Sequence, residues 1–237
     1  MFTFGRCRCQ LHDAFLKRLA MTNKKIVLFD LDGTLIDTAP DMYLALSILL
    51  SEEKMETVPY DKVRPQVSNG VLGIFSVAFS DDPVTEGDRY ERYLDIYESV
   101  LGQECNLFSN ANNLLDSLDS KDIDFGIVTN KSSRFTMPLL RQYNLLDRMK
   151  TLVCGDQVKQ RKPNPEPLIK ALENSGKSYD RNNVYYVGDA QKDIDAARAA
   201  HFRSIACTYG YRVADDNPAS WEAEFLIDDL IEVNGIV

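Results

Sequence analysis

Two aspartates one residue apart, Asp30 and Asp32, follow the uninterrupted apolar run Ile26-Val27-Leu28-Phe29 and lead directly into Gly33-Thr34. Such a run reads as a parallel strand covered on both faces, and carboxylates have no packing reason to end it. In open α/β sheets ligands bind outside the carboxyl ends of the strands, which is where this pair falls. Three further segments follow apolar runs in the same manner: Thr129-Asn130, Lys162 within Arg161-Lys162-Pro163-Asn164-Pro165, and Gly188-Asp189 with Asp193 beyond it. Four acids, a lysine and a threonine gathered at one sheet edge suit phosphoryl transfer. One carboxylate attacks phosphorus to give an acyl phosphate, dividing hydrolysis into two easier steps. A second, two residues on, protonates the departing alkoxide and later deprotonates water. Clustered carboxylates repel one another unless a cation joins them, and a hard oxygen-rich set suits Mg²⁺. The lysine and the threonine hydroxyl then hold the non-bridging oxygens as charge spreads. Each segment also has a bland reading: Thr129-Asn130 as a turn, Lys162 as a solvated loop charge, Asp193 as a first-turn helix acid favoured by the macrodipole. Their joint occurrence in this order, with DxDGT after an apolar strand, outweighs those readings.

These residues need a sheet to bring them together, and the chain from Lys25 supplies one. Short apolar runs at 25–29, 123–128, 151–154, 183–187, 204–207 and 224–227 predict strands. Amphipathic segments near 110–120, 132–143, 165–175 and 191–200 predict helices between them. Alternation of this kind implies an α/β fold, a Rossmann-like parallel sheet with helices on both faces. Helix 165–175 is clearly punctuated: Asn164 can cap it, Pro165 suits its first turn, and Gly176 suits a left-handed stop. The stop also disposes of a false P-loop at Gly176-Lys177-Ser178, where Ala171 stands in place of the first glycine.

Residues 39–105 break the rhythm. Met42, Ala45, Leu46 and Leu49 follow helical spacing, as do Val71, Ile74, Phe75 and Ala78, then Tyr90, Tyr93, Leu94 and Tyr97. Three stripes without a clear strand predict a helical cap inserted after the first strand, with Pro40 and Gly102 as linkers and the aromatic stripe as core packing. The predicted division is therefore 1–21 as an N-terminal extension, 22–38 with 106–237 as the core, and 39–105 as the cap.

Composition narrows the chemistry. With 27 Lys+Arg against 36 Asp+Glu, the net charge is −9, which opposes broad nucleic-acid or anionic-membrane binding. An anionic substrate must then be drawn in by local cations and bound metal. No stretch has the ~18 consecutive apolar residues of a membrane span. Cysteines at 7, 9, 105, 154 and 207 form no CxxC and read as free thiols of a reducing cytoplasm. His12 and His201 are the only histidines, which speaks against a histidine-based triad. Residues 1–20 carry +3, from Arg6, Arg8, Lys17 and Arg18 against Asp13, without the apolar core of a secretory signal. The expectation is that translation normally begins at Met21, with an organelle-targeting segment as the other reading. Nothing in the sequence fixes the oligomeric state.

With the four segments in order across 30–193, the chain resembles the haloacid dehalogenase superfamily. The resemblance implies that Asp30 is the nucleophile and Asp32 the general acid/base. It implies Mg²⁺ bound by Asp30, the Asp32 backbone carbonyl and Asp189, with Asp193 in support. Thr129 and Lys162 would bind phosphate and Asn130 would help to position it. Asp32 also implies phosphate-ester chemistry, because the dehalogenases and phosphonate-cleaving relatives lack that acid. Thr34 is similar to the phosphatases rather than to the sugar phosphomutases, which remain the alternative, ahead of a non-catalytic binding protein on the same fold. Asp37-Thr38-Ala39-Pro40-Asp41 and the stretch Arg64 to Gly70 resemble the phosphoglycolate phosphatase-like branch. That likeness points to Arg64, Ser68 and Asn69 as cap residues contacting a small phosphorylated metabolite. Val67-Ser68-Asn69-Gly70, Val153-Cys154-Gly155-Asp156, Tyr209-Gly210-Tyr211-Arg212, Asp216-Asn217-Pro218 and Trp221 most resemble bacterial N-acetylmuramic acid 6-phosphate phosphatases. Muramic acid phosphate is therefore modestly favoured over 2-phosphoglycolate, and Arg64 is the cation expected to meet the carboxylate of either. Two departures from the family stand out: Ser109-Asn110 replaces a Pro-Gly pair near the second linker, and His201 replaces a helix-ending glycine, at a cost of roughly 1 kcal/mol in a left-handed position.

Overall fold

A computed structural model describes residues 24–79, 87–213 and 215–237. The predicted extension at 1–21, with Cys7, Cys9 and His12, lies outside these residues. In chain order the elements are β1 (Ile26–Phe29), β2 (Ile36–Asp37), α1 (Ala39–Glu52), α2 (Tyr60–Val63), a 3-10 stretch (Arg64–Asn69), α3 (Gly70–Ala78), α4 (Asp88–Val100) and β3 (Asn106–Leu107). They continue with α5 (Ala111–Ser120), β4 (Asp124–Val128), α6 (Ser133–Gln142), β5 (Thr151–Val153), α7 (Glu166–Asn174), β6 (Val184–Gly188), α8 (Gln191–Ala199), β7 (Arg203–Cys207) and β8 (Phe225–Ile227). Six strands form one parallel sheet in the order β5-β4-β1-β6-β7-β8. From β1 the chain steps outward to β4 and β5, then crosses to β6 on the other flank. The loops after β1 and β6 therefore diverge, leaving a crevice at the strand ends.

The apolar run of β1 is explained by burial on both faces. Val27 and Phe29 pack with Leu114, Leu115, Leu139 and Leu140 of α5 and α6. Ile26 and Leu28 face the other way, against Leu168, Ala171, Ala196 and Ala197 of α7 and α8. Inward residues alternate because successive strand side chains point to opposite faces.

The helices α1 to α4 build their own core from the predicted stripes, with Met42, Leu46, Leu49, Ile74, Phe75, Tyr93 and Tyr97 buried together and joined by Phe135 and Tyr211. The chain enters and leaves this unit along the antiparallel pair Ile36↔Leu107 and Asp37↔Asn106. Pro40 is not a linker: it sits in the first turn of α1, where its missing N–H costs nothing. The buried Asp41 accepts from the backbone N–H groups of Gly102, Glu104 and Cys105, tying the exit segment to α1. His201 keeps the left-handed stop despite its side chain (φ 59°), so that helix end does not depart from the glycine form. Asn110 is also left-handed (φ 61°), and its amide donates to Asp229. No helix among the described residues is long and apolar enough to cross a membrane.

Candidate active site

Asp30 is the first residue beyond β1, and its N–H donates to the Val187 carbonyl (2.9 Å), which fixes it against β6. The chain then turns back on itself: the Leu31 carbonyl accepts from Leu35 and Ile36 (3.0 Å each), with all three side chains buried. Gly33 lies at φ 86° and presses so closely on Asp189 that any side chain there would collide with the carboxylate. The Thr34 hydroxyl donates to Asp189 Oδ1 (3.3 Å).

Lys162 is the centre of the buried charge. Its Nζ lies 2.8 Å from Asp30 Oδ1 and 2.7 Å from Asp193 Oδ1, and donates to the Tyr186 hydroxyl (2.7 Å) and the Val128 carbonyl (3.2 Å). Its side chain is fully buried. Burial alone would lower its affinity for a proton, but Asp193 and Asp30 outweigh that and hold the ammonium charged. Apart from this ion pair, Asp30 Oδ1 is buried without another partner. Burial pushes the Asp30 carboxyl up to about 6, with Lys162 opposing and Asp193 reinforcing the rise.

Asp189, Asp30 and Asp193 present ligand oxygens within 4.8 Å of one another, all buried. Burial drives Asp189 up to about 8, with the charges of Asp193 and Asp30 adding to it. Its partners are Thr34, the Tyr211 N–H (2.9 Å) and the Ser68 hydroxyl (3.2 Å). One ammonium in contact with this buried set does not balance three carboxylates when all are ionised. A hard divalent cation fits that oxygen set and would balance it.

Asp32 stands apart from this triad. Its Oδ1 accepts from the Thr38 hydroxyl (2.6 Å) and from Lys131 Nζ (2.9 Å), whose ammonium also lies over the Tyr97 ring. Thr129 is buried, and its hydroxyl accepts the Lys131 N–H (3.1 Å). Asn130 is fully engaged with the main chain of Lys162: its Nδ2 donates to the Lys162 carbonyl and its Oδ1 accepts the Lys162 N–H, both at 3.0 Å. It positions the lysine.

A cavity of about 450 Å³ opens over Asp30 and Asp32. Thr129, Asn130, Lys131, Arg161 and Lys192 line it from the sheet side, and Ser68, Asn69, Val71, Tyr90, Leu94 and Tyr97 from the helical unit. The predicted aromatic stripe thus serves two ends, core packing at Tyr93 and cavity wall at Tyr90 and Tyr97. Ser68 and Asn69 are at the cavity as expected; Arg64 is not. Its guanidinium bonds Asp37 (3.1 Å) and lies over the Tyr211 ring, so its charge is spent joining the helical unit to the core. Tyr211 completes that joint, its hydroxyl accepting the N–H groups of Thr38 and Ala39 and donating to Asp37 (2.7 Å). Sequence reasoning did not single out Lys131, Lys192, Thr38 or Tyr186. Only Lys131 gave a local signal, as the residue following Thr129-Asn130.

This strand order, with an acid pair after the first strand and a lysine clamped between two carboxylates, defines a class of α/β fold that gathers its polar groups at the strand ends. Residues 27–207 match the haloacid dehalogenase-like hydrolase family, and the chain belongs to it. It is 38% identical to a phosphoglycolate phosphatase of Xanthomonas campestris over 205 residues, covering 86% of this chain and 92% of that one. It is 35% identical to an N-acetylmuramic acid 6-phosphate phosphatase of Pseudomonas putida over 215 residues, covering 90% and 96%. Among solved structures, a predicted phosphoglycolate phosphatase from Haemophilus somnus superposes with a TM-score of 0.78 at 24% identity, covering 91% and 99%.

Proposed function

We propose that this chain is a Mg²⁺-dependent phosphatase that hydrolyses a small phosphate monoester through an aspartyl phosphate on Asp30. The observation that carries the reading is Asp30, backed by the buried Lys162–Asp193 pair, lining a substrate-sized cavity. A carboxylate oxygen of Asp30 attacks phosphorus while Asp32 gives its proton to the departing alkoxide. Asp32 then takes a proton from water, which attacks the phosphoryl group, releases phosphate and restores Asp30. Lys162 and the Thr129 hydroxyl hold the non-bridging oxygens, and Asn130 keeps Lys162 in register. Asp30, the Asp32 backbone carbonyl and Asp189 are the residues that would hold Mg²⁺, with Asp193 in support. The ion would supply charge neutralisation at the phosphoryl oxygens. Residues 39–105 act as a cap on a core made of 22–38 and 106–237, excluding water from the cavity.

N-acetylmuramic acid 6-phosphate is the favoured substrate. A cavity of about 450 Å³ has room for an acylated sugar. A panel of phosphate esters tests this reading. Purified protein with Mg²⁺ should release phosphate, EDTA should stop it, and kcat/KM should be highest for the muramic ester. Preference for 2-phosphoglycolate would overturn the substrate choice, and EDTA-insensitive turnover would overturn the metal.

A further inference from the structure

We propose that Lys192 and Arg161 recognise a second anionic group on the substrate, a carboxylate, and so select acidic phosphate esters over neutral ones. This rests on the phosphatase reading above. Three cationic side chains line the cavity, and a fourth, Lys162, is buried against Asp30. Lys162 is matched by Asp30 and Asp193, and Lys131 by Asp32. Lys192 and Arg161 line the same cavity and make no direct ion pair among the described residues; the acids they act on across space are Asp30 and Asp189 for Lys192 and Asp156 for Arg161. Lys192 Nζ donates to the Ser68 carbonyl, and Arg161 Nε to the Gly155 carbonyl at 3.0 Å. A neutral carbonyl orients a cation without cancelling its charge.

Two cavity cations held by carbonyls rather than by direct ion pairs, on a chain of net charge −9, mark the place where an anion is received. The reacting phosphate already has Lys162 and Thr129. The rest of the wall offers no alternative receptor: every lining residue contributed by the helical unit, Met42 through Tyr97, is uncharged. Arg64 is paired with Asp37 and lies outside the lining. Topology brings the two cations in from opposite sides. Arg161 follows β5 and Lys192 follows β6, and these strands lie on either side of β1. For an ester bound with phosphorus at Asp30, its orientation decides which of the two cations meets the second charge.

The test uses matched pairs that differ in the acid alone: N-acetylmuramic acid 6-phosphate against the same ester with its lactyl carboxyl converted to the primary amide, and 2-phosphoglycolate against 2-hydroxyethyl phosphate. With Mg²⁺ present, the wild type should favour the acidic member of at least one pair by roughly 10- to 100-fold in kcat/KM, the range of a charge-assisted contact. The pair that shows the preference identifies the source of the carboxylate. At least one of Lys192→Met and Arg161→Met should shrink that ratio several-fold, mainly through KM, and the double variant should bring it near unity. Arg64→Met should leave the ratio in place. Equal losses on both members of a pair, or a wild type indifferent to the acid, would overturn the assignment. If no ester of the panel is hydrolysed, the phosphatase reading itself fails, and that outcome is distinct from hydrolysis without preference. Arg161 is exposed, so its variant reports even if Lys192→Met is destabilised.

Discussion

At the scale of residues, Asp189 is where burial and function oppose each other. Its carboxyl rises from the ordinary range near 3.8 to about 8 because burial penalises the ionised form. Between those values the folded metal-free protein binds more protons than the unfolded chain, so this group removes stability as pH rises through the window. Asp189→Asn should therefore raise the Tm of EDTA-treated protein by about a few degrees at pH 8, with the gain fading toward pH 4. Added Mg²⁺ should raise the wild-type Tm but not that of the variant; thermal melts at four pH values check both. Asn130→Ala should lower kcat by roughly 10-fold or more, because two main-chain groups of Lys162 lose their partners, a cost of about 1–3 kcal/mol. A steady-state assay that finds kcat unchanged would show that the clamp is dispensable. Asp30, Asp32 and Asp189 were legible in the sequence because each follows an apolar strand within a few residues, and Lys162 and Asp193 because they come in order with them. The roles of Asn130, Lys131 and Arg64 were not, because their partners lie 32, 99 and 27 residues away and depend on how loops meet.

At the scale of elements, the loop after β7 does more for the site than its sequence announces. A Cβ on Gly210 would collide with the Asp189 side chain, while the neighbouring Tyr211 N–H holds that carboxylate. Gly210→Ala should leave far-UV circular dichroism near wild type yet weaken Mg²⁺ affinity about 10-fold or more by displacing Asp189; calorimetric titration of the metal reads the difference. Arg64→Ala removes a half-exposed ion pair and its stacking on Tyr211, so its effect should be small, about 1 kcal/mol or less in stability. Equilibrium urea unfolding measures it. The sheet was legible because β1, β4, β6 and β7 are apolar runs buried on both faces. The joints were not: the two-residue ladder between β2 and β3 is too short to leave a pattern, and Asp41 reads as an ordinary first-turn acid until its three backbone donors are seen.

At the scale of the whole molecule, a sheet whose order reverses beside β1 gathers loops separated by more than 150 residues around one buried ammonium. The acidic chain then relies on local positive charge to admit an anion. Because that attraction is local, kcat/KM should fall with added salt chiefly below about 0.15 M, where the screening length still exceeds the cavity's dimensions. The central claim is that phosphorus passes through Asp30. Acid quenching during turnover with Mg²⁺ and a hydrolysed ester, followed by borohydride reduction and peptide mass spectrometry, reads it directly. The account predicts that Asp30 is recovered as homoserine; a trapped acyl phosphate on any other side chain would contradict it.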